Sequence, residues 1–259
     1  MPDTRTAMST KVKSILISQP KPESGKSPYY DLGEKYGIKI EFRQFIQVEG
    51  VSRKDIQKQR VKPSDYSAVI FTSRNAIDHF FRICDEMKIK MPQDTKYFCI
   101  SEAIALYLQK YIQYRKRKVI FGDGKIKALQ ALLLKHKKNE KFLLPCSNIR
   151  RADLPEFMEE NEFDFRETCF YKTVASDLSD LKDVNYDMIV FFSPAGVKSL
   201  FKNFPDFKQN ETRIAAFGLT TEKAVLDAGL RLDVKAPIPK APSMTKAIEL
   251  YLLDQKNSK

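Results

Sequence analysis

One short pattern occurs twice in this chain of 259 residues, and it limits the folds that the chain can adopt. Residues 69–81 (VIFTSRNAIDHFF) and 190–201 (VFFSPAGVKSLF) each contain an apolar run, a serine and an amphipathic helical pattern. A strand that enters a helix through a serine places a hydroxyl and the unpaired NH groups of the first helical turn at one edge of a sheet. Such an edge binds anions, so the repeat predicts two anion-binding edges that flank a cleft between similar halves.

The rest of the chain alternates short apolar runs with helical patterns, which favours an α/β fold of parallel sheets with crossover helices. The order of these patterns restarts near residue 141, so the chain divides into four blocks, A-B-A′-B′. Two extended segments, residues 38–48 and 163–174, are about twice the usual strand length of ~5–6 residues. If they run side by side, they connect one domain made of B and A′ with another made of A and B′. A simple tandem, A with B and then A′ with B′, is the alternative that periodicity leaves open.

The composition restricts the partners and the compartment. Lysine and arginine outnumber aspartate and glutamate by 45 to 33, and the net charge of +12 favours nucleic acid, acidic lipid or a small polyanion. The densest basic stretch, residues 115–118, is typical of the solvated end of a helix. There is neither a bilayer-spanning apolar run nor a signal-peptide pattern at the start, so we expect a cytoplasmic protein. The four cysteines lack CxxC spacing, which predicts reduced thiols and neither a disulfide framework nor a metal site.

Four segments resemble, in their order and spacing, the uroporphyrinogen-III synthase family: FTSRNAIDHF, LLPCSNIRRADLPEFMEENEFDFRETCFYKT, FFSPAGVKSLF and IAAFGLTTEKAVLDAGL. The resemblance covers most of the chain from Ser67 onward. It implies two flavodoxin-like parallel-sheet domains joined by a two-stranded antiparallel linker, with the substrate held between them. It thereby implies a discontinuous first domain of residues 1–46 plus 174–259, a second domain of residues 50–166, and linker strands 38–50 and 163–174.

The resemblance also implies a reaction, that of a cyclising lyase of tetrapyrrole (heme) biosynthesis. Its substrate is the linear tetrapyrrole polycarboxylate hydroxymethylbilane, which loses its terminal hydroxyl as water. The ring then closes with the last pyrrole inverted, through a spirocyclic intermediate, to give uroporphyrinogen III. No cofactor is needed, because the pyrroles supply the electrons and the protein contributes positioning and electrostatic stabilisation.

The family pattern implies the site residues as well. Tyr171 would be the catalytic group, with its phenol donating to the leaving hydroxyl. Hydroxyls at helix starts and a loop arginine would bind the substrate's carboxylates: Ser73, Ser101, Arg151, Ser193, Thr220 and Thr221. The residue types alone also fit structural roles, namely packing of the tyrosine ring, N-capping by the hydroxyls, and an ion pair of Arg151 with Asp153 or Glu156.

One position departs from the family pattern. Where a glycine and a nearby threonine are usual, this chain has Ser101 followed by Glu102, and an acidic side chain at that turn repels carboxylates unless it points away. The alternative is therefore a non-catalytic family member that binds nucleic acid or another acidic ligand through its basic surface, although no helix-turn-helix or aromatic-interleaved basic stretch supports it. We expect a monomer that binds neither nucleic acid nor membrane. We further expect the Ser193 copy, with Thr220 and Thr221, to contribute more binding than the Ser73 copy.

Overall fold

The computed structural model describes residues 11–150, 152–181 and 185–257. Its elements are, in chain order, β1 (Ser14–Ile17), α1 (Pro28–Tyr36), β2 (Lys39–Phe42), β3 (Ile46–Gly50), α2 (Arg53–Lys58), β4 (Ala68–Phe71), α3 (Arg74–Glu86), β5 (Lys96–Cys99), α4 (Glu102–Tyr107), β6 (Val119–Phe121), α5 (Ile126–Leu134), β7 (Phe142–Ser147), α6 (Asp153–Glu160), β8 (Phe165–Ala175), β9 (Met188–Phe191), α7 (Pro194–Asn203), β10 (Arg213–Phe217), α8 (Leu219–Asp227), β11 (Val234–Ala236) and α9 (Met244–Asn257). Single 3-10 turns lie at Pro63–Asp65 and Leu108–Lys110. The chain folds as two units, the first up to Gln47 and from Val174 onward, the second from Val48 to Thr173.

Unit 1 contains a five-stranded sheet in the order β2-β1-β9-β10-β11, and its paired strands are parallel. Successive side chains of a strand point to opposite faces, so Ile15 and Ile17 of β1 enter one apolar cluster and Leu16 enters another. Residues of α1 and α9 complete the first cluster, and residues of α7 and α8 complete the second. Helices therefore cover both faces of the sheet, which explains why the central strand β9 (MIVF) is apolar on both of its faces.

The bounds of α1 show how the local sequence sets an element of this unit. The Ser27 hydroxyl accepts a hydrogen bond from the Tyr29 amide at 3.3 Å, and Pro28 occupies the first helical position, where its missing NH has no cost. Gly37 ends the helix with φ of 64°, a left-handed conformation that glycine adopts without strain. The chain then turns directly into β2, beside β1.

Unit 2 contains a six-stranded sheet in the order β3-β8-β7-β4-β5-β6. The pairs from β8 to β6 are parallel. One face packs under α2, α3 and α4 around Phe71 and Phe80, and the other packs under α5 and α6 around Phe98 and Phe142. The parallel strands end at one edge of the sheet, so the residues that follow β4, β5, β6 and β7 are neighbours there.

The extended segment of residues 38–48 is two strands rather than the single strand that its apolar pattern predicts. β2 pairs with β1, whereas β3 is an edge strand beside β8. Phe45, between them, is fully buried, with its ring 5.8 Å from that of Phe191. The Phe45 carbonyl accepts hydrogen bonds from the Ser199 hydroxyl and the Ser176 amide, which hold the backbone out of a continuous strand.

Within the described residues, no helix has both the length and the apolar character to span a membrane.

Candidate active site

The first strand-serine-helix copy lies at the carboxyl edge of the unit 2 sheet. Ser73 follows β4 and caps α3, where its hydroxyl accepts a hydrogen bond from the Ala76 amide at 3.1 Å. The same Ser73 oxygen lies 3.0 Å from the phenol oxygen of Tyr171 on β8. Two hydroxyl side chains that are 98 positions apart in sequence therefore form one hydrogen-bonded pair.

A β-bulge brings Tyr171 to this position. In the β7–β8 register, Cys146 is opposite Cys169 but Ser147 is opposite Tyr171, so Phe170 has no partner on β7. Phe170 and Tyr171 are consecutive residues, yet both are buried. Consecutive side chains of a regular strand point to opposite faces of the sheet, so one of the two would be exposed where one face is open. Bulges redirect side chains next to functional sites, and this one turns the phenol toward Ser73.

The aromatic ring of Tyr171 is held by a second contact from α3. Its ring stacks on the His79 imidazole, with centroids 5.3 Å apart and planes inclined by 17°. His79 lies one and a half helical turns beyond Ser73, so the same helix fixes both the ring and the hydroxyl of Tyr171.

Burial determines the protonation of this aromatic pair. It raises the pKa of Tyr171 above the ordinary value of 10.0; the hydrogen bond to Ser73 opposes the shift, and Cys146 and Cys169 add to it. Burial, aided by the charge of Arg82, lowers the pKa of His79 below the ordinary 6.5. At neutral pH the Tyr171 phenol therefore keeps its proton and the His79 ring is uncharged.

A pocket of about 310 Å³ opens beside Tyr171 within unit 2. Ile100, Leu144 and Leu154 supply apolar lining. The polar groups of the lining are Thr72, Cys146, Ser147, Arg150, Glu167 and Tyr171. The Arg150 guanidinium contacts the Glu167 carboxylate and is the cation of this pocket. A small, partly apolar space lined by hydroxyls and the Arg150–Glu167 ion pair suits part of a polar organic ligand.

The loop after β7 positions Arg150. The Asn148 side chain accepts from the Thr173 amide at 2.8 Å and donates to the Thr173 carbonyl at 3.4 Å, which fastens the loop to β8. The Ser147 hydroxyl accepts from the Ile149 amide at 3.3 Å. Arg151, the arginine that the family pattern implies, lies outside the described residues.

Ser101 does not join the Tyr171 pair. It precedes α4 and forms a backbone bridge with Asp123, and no capping hydrogen bond from its side chain is formed among the described residues. Glu102 is exposed, and it lines the same shallow depression as Ser101 and Asp123. Two carboxylates beside this serine give the turn an acidic character, in contrast with the Arg150 pocket.

The second copy lies at the carboxyl edge of the unit 1 sheet. Ser193 caps α7 and accepts from the Gly196 amide at 3.2 Å, with Pro194 in the first helical position. A side chain on Gly196 would place its Cβ 3.7 Å from the Ser193 hydroxyl and 3.8 Å from that of Ser18. The two serines therefore lie close to the same glycine.

The helix start after β10 belongs to the same edge of unit 1. Gly218 precedes α8 with φ of 87°, which favours glycine, and this places Leu219 and Thr220 in exposed positions. Leu219 is 82% exposed, whereas Thr221 is only 1% exposed. The Thr221 and Glu222 amides donate to the Gly218 carbonyl, so this end presents the Leu219 and Thr220 amides together with the Thr220 hydroxyl.

Comparison with known proteins identifies the family. A family model described as uroporphyrinogen-III synthase HemD matches residues 27–246. The chain belongs to the uroporphyrinogen-III synthase family. A uroporphyrinogen-III synthase of Chlorobaculum parvum is 21% identical over 92% of this chain and 98% of its own length, and that of Saccharomyces cerevisiae is 31% identical over 42% of this chain and 45% of its own.

Solved structures of the same family share the fold. The uroporphyrinogen-III synthetase of Helicobacter pylori matches with a TM-score of 0.58 and 17% identity, and a mutant uroporphyrinogen III synthase of Thermus thermophilus with 0.55 and 14%. Each match covers 93% of this chain and 99% of the other. The predicted resemblance to the uroporphyrinogen-III synthase family and the predicted α/β class with parallel sheets are both confirmed.

For this member of the uroporphyrinogen-III synthase family, sequence reasoning selected one of the six polar residues of the pocket, Tyr171. It did not select the other five: Thr72, Cys146, Ser147, Arg150 and Glu167. The sequence does contain a signal for Ser147. The β7 segment, like the strand before Ser73, leads into a hydroxyl residue, and these two strands pair. The choice of Arg150 depends on how Asn148 fastens the loop, and no local pattern in the sequence reports that contact.

Proposed function

We propose that the protein is a lyase that cyclises hydroxymethylbilane, with inversion of the terminal pyrrole and loss of water, to uroporphyrinogen III. The observation that carries the proposal is the 3.0 Å contact between the Ser73 hydroxyl and the Tyr171 phenol beside a pocket with one cation. Together with family membership, it supports the role that the resemblance implies for Tyr171.

In this proposal Tyr171 is the acid of the dehydration step. The C–O bond of the terminal hydroxymethyl group breaks as the pyrrole nitrogen donates electrons, and the phenol proton passes to the departing hydroxyl to form water. The resulting carbon cation bonds to the α-carbon of the last pyrrole that already carries its bridge, which gives the spirocyclic intermediate. The older bridge bond at that carbon breaks and re-forms at the free α-carbon of the same pyrrole, so the macrocycle closes with that pyrrole inverted. The proton released on rearomatisation can return to the tyrosinate oxygen. The overall change is hydroxymethylbilane to uroporphyrinogen III plus water, so no cofactor enters the balance.

Ser73 orients the phenol in the proposed mechanism. Its oxygen already accepts from the Ala76 amide, and a hydroxyl still has one proton to donate. When Ser73 donates that proton to the Tyr171 oxygen, the Tyr171 proton is free to point into the pocket. A positioned acid of this kind contributes roughly 10²- to 10⁴-fold to a rate. The raised pKa of Tyr171 supports the role, because it keeps the phenol protonated across the neutral range.

The substrate's carboxylates would be bound by cations, hydroxyls and helix-start amides of both units. In unit 2 we assign this role to Arg150, with Ser101 a weaker candidate because of the neighbouring Glu102. Ser73, whose one proton orients the phenol, would contribute through the free amides at the start of α3. In unit 1 we assign the role to Ser193, Thr220 and the first two amides of α8. Thr221 is buried and its amide donates to the Gly218 carbonyl, so it stays a candidate by its family position. Arg151 stays a candidate by its family position. Each carboxylate at a helix start gains about 0.3–1 kcal/mol, and the net charge of +12 attracts the polyanion.

The domain organisation that we propose is two flavodoxin-like domains joined by β3 and β8. Written along each sheet, β2-β1-β9-β10-β11 and β8-β7-β4-β5-β6 both fit the flavodoxin order 2-1-3-4-5, if β7 and β8 are taken as the first two strands of the second domain. An antiparallel connector is supported by two hydrogen bonds, from the Val51 amide to the Phe170 carbonyl and from the Ser176 amide to the Phe45 carbonyl. We also propose that the protein acts as a monomer in the cytoplasm, which agrees with its membership of a biosynthetic enzyme family.

The identity of the product isomer tests the function. Purified protein is mixed with hydroxymethylbilane, and the porphyrins obtained after oxidation are separated by chromatography. The proposal predicts the type III isomer, formed faster than spontaneous closure. Formation of type I alone, at the rate of the reaction without protein, would instead support a non-catalytic family member.

A further inference from the structure

A second pocket lies at the opposite edge of the unit 2 sheet, and no residue of its lining belongs to the Tyr171 pocket. It has a volume of about 410 Å³. Thr95 and Lys118 line it immediately before β5 and β6 begin, so it lies at the amino ends of the parallel strands. We call it the amino-edge pocket.

The Thr95 hydroxyl in the amino-edge pocket is unusual. Thr95 is 2% exposed, and among the described residues its side-chain oxygen has no hydrogen-bond partner. Buried hydroxyls are nearly always paired, because leaving one unpaired costs the free energy of its desolvation. Thr95 is one of the lining residues, so rotation of its side chain would bring the hydroxyl into a hydrogen bond with a bound ligand.

The remaining lining combines one aromatic wall with a basic rim. Phe81, Tyr97 and Tyr111 form this wall, because the Phe81 ring centroid is 4.7 Å from that of Tyr111 and 6.5 Å from that of Tyr97. Lys90, Arg115 and Lys118 line the rim, and none of them takes part in the ion pairs formed among the described residues. Asp85 is the one carboxylate of the lining, so positive charge prevails.

We propose that the amino-edge pocket binds a small aromatic anion, with the ring against the aromatic wall and the anionic group at the Thr95 hydroxyl and the Arg115 and Lys118 charges. The volume is within the range of small-molecule sites, and the combination of an apolar wall with a few converging polar groups is typical of them. A bare anion would leave the aromatic wall without contacts, and a neutral ring would leave the cations without a partner.

Titration calorimetry of the full chain with 2-naphthoate, a two-ring carboxylate, tests the proposal. We expect one site, and binding at least tenfold weaker for the uncharged 2-(hydroxymethyl)naphthalene and for inorganic phosphate. The double variant Arg115→Ala/Lys118→Ala should weaken 2-naphthoate binding about tenfold, whereas Lys127→Ala, which removes an exposed cation elsewhere in unit 2, should leave it unchanged.

Thr95→Val separates binding from folding. It keeps the shape of the side chain and removes the unpaired hydroxyl, so we expect an unchanged or higher thermal midpoint together with severalfold weaker 2-naphthoate binding. Arg150→Gln, in the Tyr171 pocket, should retain full binding. Absence of 2-naphthoate binding, binding that both the double variant and Thr95→Val leave intact, or binding that Arg150→Gln abolishes would overturn the proposal.

Discussion

The two strand-serine-helix copies are almost the same locally and differ in what surrounds them. Ser73 and Ser193 have similar backbone angles, φ of −155° and −157°, and cap their helices through amides at 3.1 and 3.2 Å. Ser73 also contacts the Tyr171 phenol from a distant strand, whereas Ser193 lies near Ser18 across Gly196. The local pattern therefore forms the same helix cap twice, and a long-range contact places the Tyr171 phenol beside the Ser73 copy. This difference leads us to assign catalysis to the Ser73 copy and binding to the Ser193 copy.

The largest expected effect comes from removing the acid. Tyr171→Phe keeps the ring stacked on His79 and removes the hydroxyl, so we expect kcat to fall roughly 100-fold with little change in KM. Steady-state kinetics with hydroxymethylbilane measure it. Tyr66→Phe is the matched control, because Tyr66 is 8% exposed like Tyr171 and packs in the same apolar cluster. Equal kcat values for Tyr171→Phe and the wild type would remove the contrast between the two copies.

Alanine at each serine compares the copies directly. Ser73→Ala should lower kcat about tenfold, because the phenol loses its orienting partner, whereas Ser193→Ala should raise KM a few-fold and leave kcat unchanged. Both variants lose a helix cap worth about 1 kcal/mol. Ser73→Ala also leaves the buried Tyr171 hydroxyl without Ser73, so its free energy of unfolding in urea should fall by about 1–3 kcal/mol more. The reverse pattern in kcat and KM would exchange the assigned roles.

Arg150 tests whether the unit 2 edge also binds substrate. Arg150→Gln removes the cation of the Tyr171 pocket, so we expect KM to rise roughly fivefold, or about 1 kcal/mol, while kcat changes less than twofold. Arg166→Gln, an exposed arginine on the same strand as Tyr171, is the control for loss of one positive charge. If both variants change KM equally, the effect is a general one of net charge, and carboxylate binding then belongs to unit 1.

The pH dependence should be the smallest effect. The active form of Tyr171 is the neutral phenol, and burial raises its pKa above 10.0, so kcat/KM should not decline on the alkaline side until the pH exceeds 10. The stabilising effect of the buried neutral phenol is likewise fully present below pH 10 and is lost as the pH rises through the folded-state pKa. A decline of kcat/KM near pH 8 that Tyr171→Phe abolishes would contradict a buried, protonated acid.

Local patterns in the sequence are sufficient to predict most elements. A serine cap, a proline and a terminal glycine mark the bounds of α1, and a short apolar run marks β4, so local patterns predict both elements. The helix α2 is harder to predict, although Ser52 caps it through the Asp55 amide, because its six residues give little periodicity.

What local patterns do not predict depends on pairing between distant segments. The division of residues 38–48 into β2 and β3 follows from the burial of Phe45, and the bulge opposite Ser147 follows from the register of β7 with β8. Tyr171 and Ser73 were each selected as candidates, but their contact was not, because it depends on that bulge. The family relationship was accessible from sequence because it rests on the order of four segments rather than on contacts.

The coupling between Ser73 and Tyr171 is the most direct test of the assigned roles. We would measure kcat for Ser73→Ala, Tyr171→Phe and the double variant, with Ser193→Ala combined with Tyr171→Phe as the reference pair. If Ser73 acts through the phenol, the double variant should have the kcat of Tyr171→Phe alone to within about twofold, while the Ser193 pair keeps independent effects on kcat and KM. Multiplicative losses of kcat from Ser73→Ala and Tyr171→Phe would show that the two hydroxyls act separately.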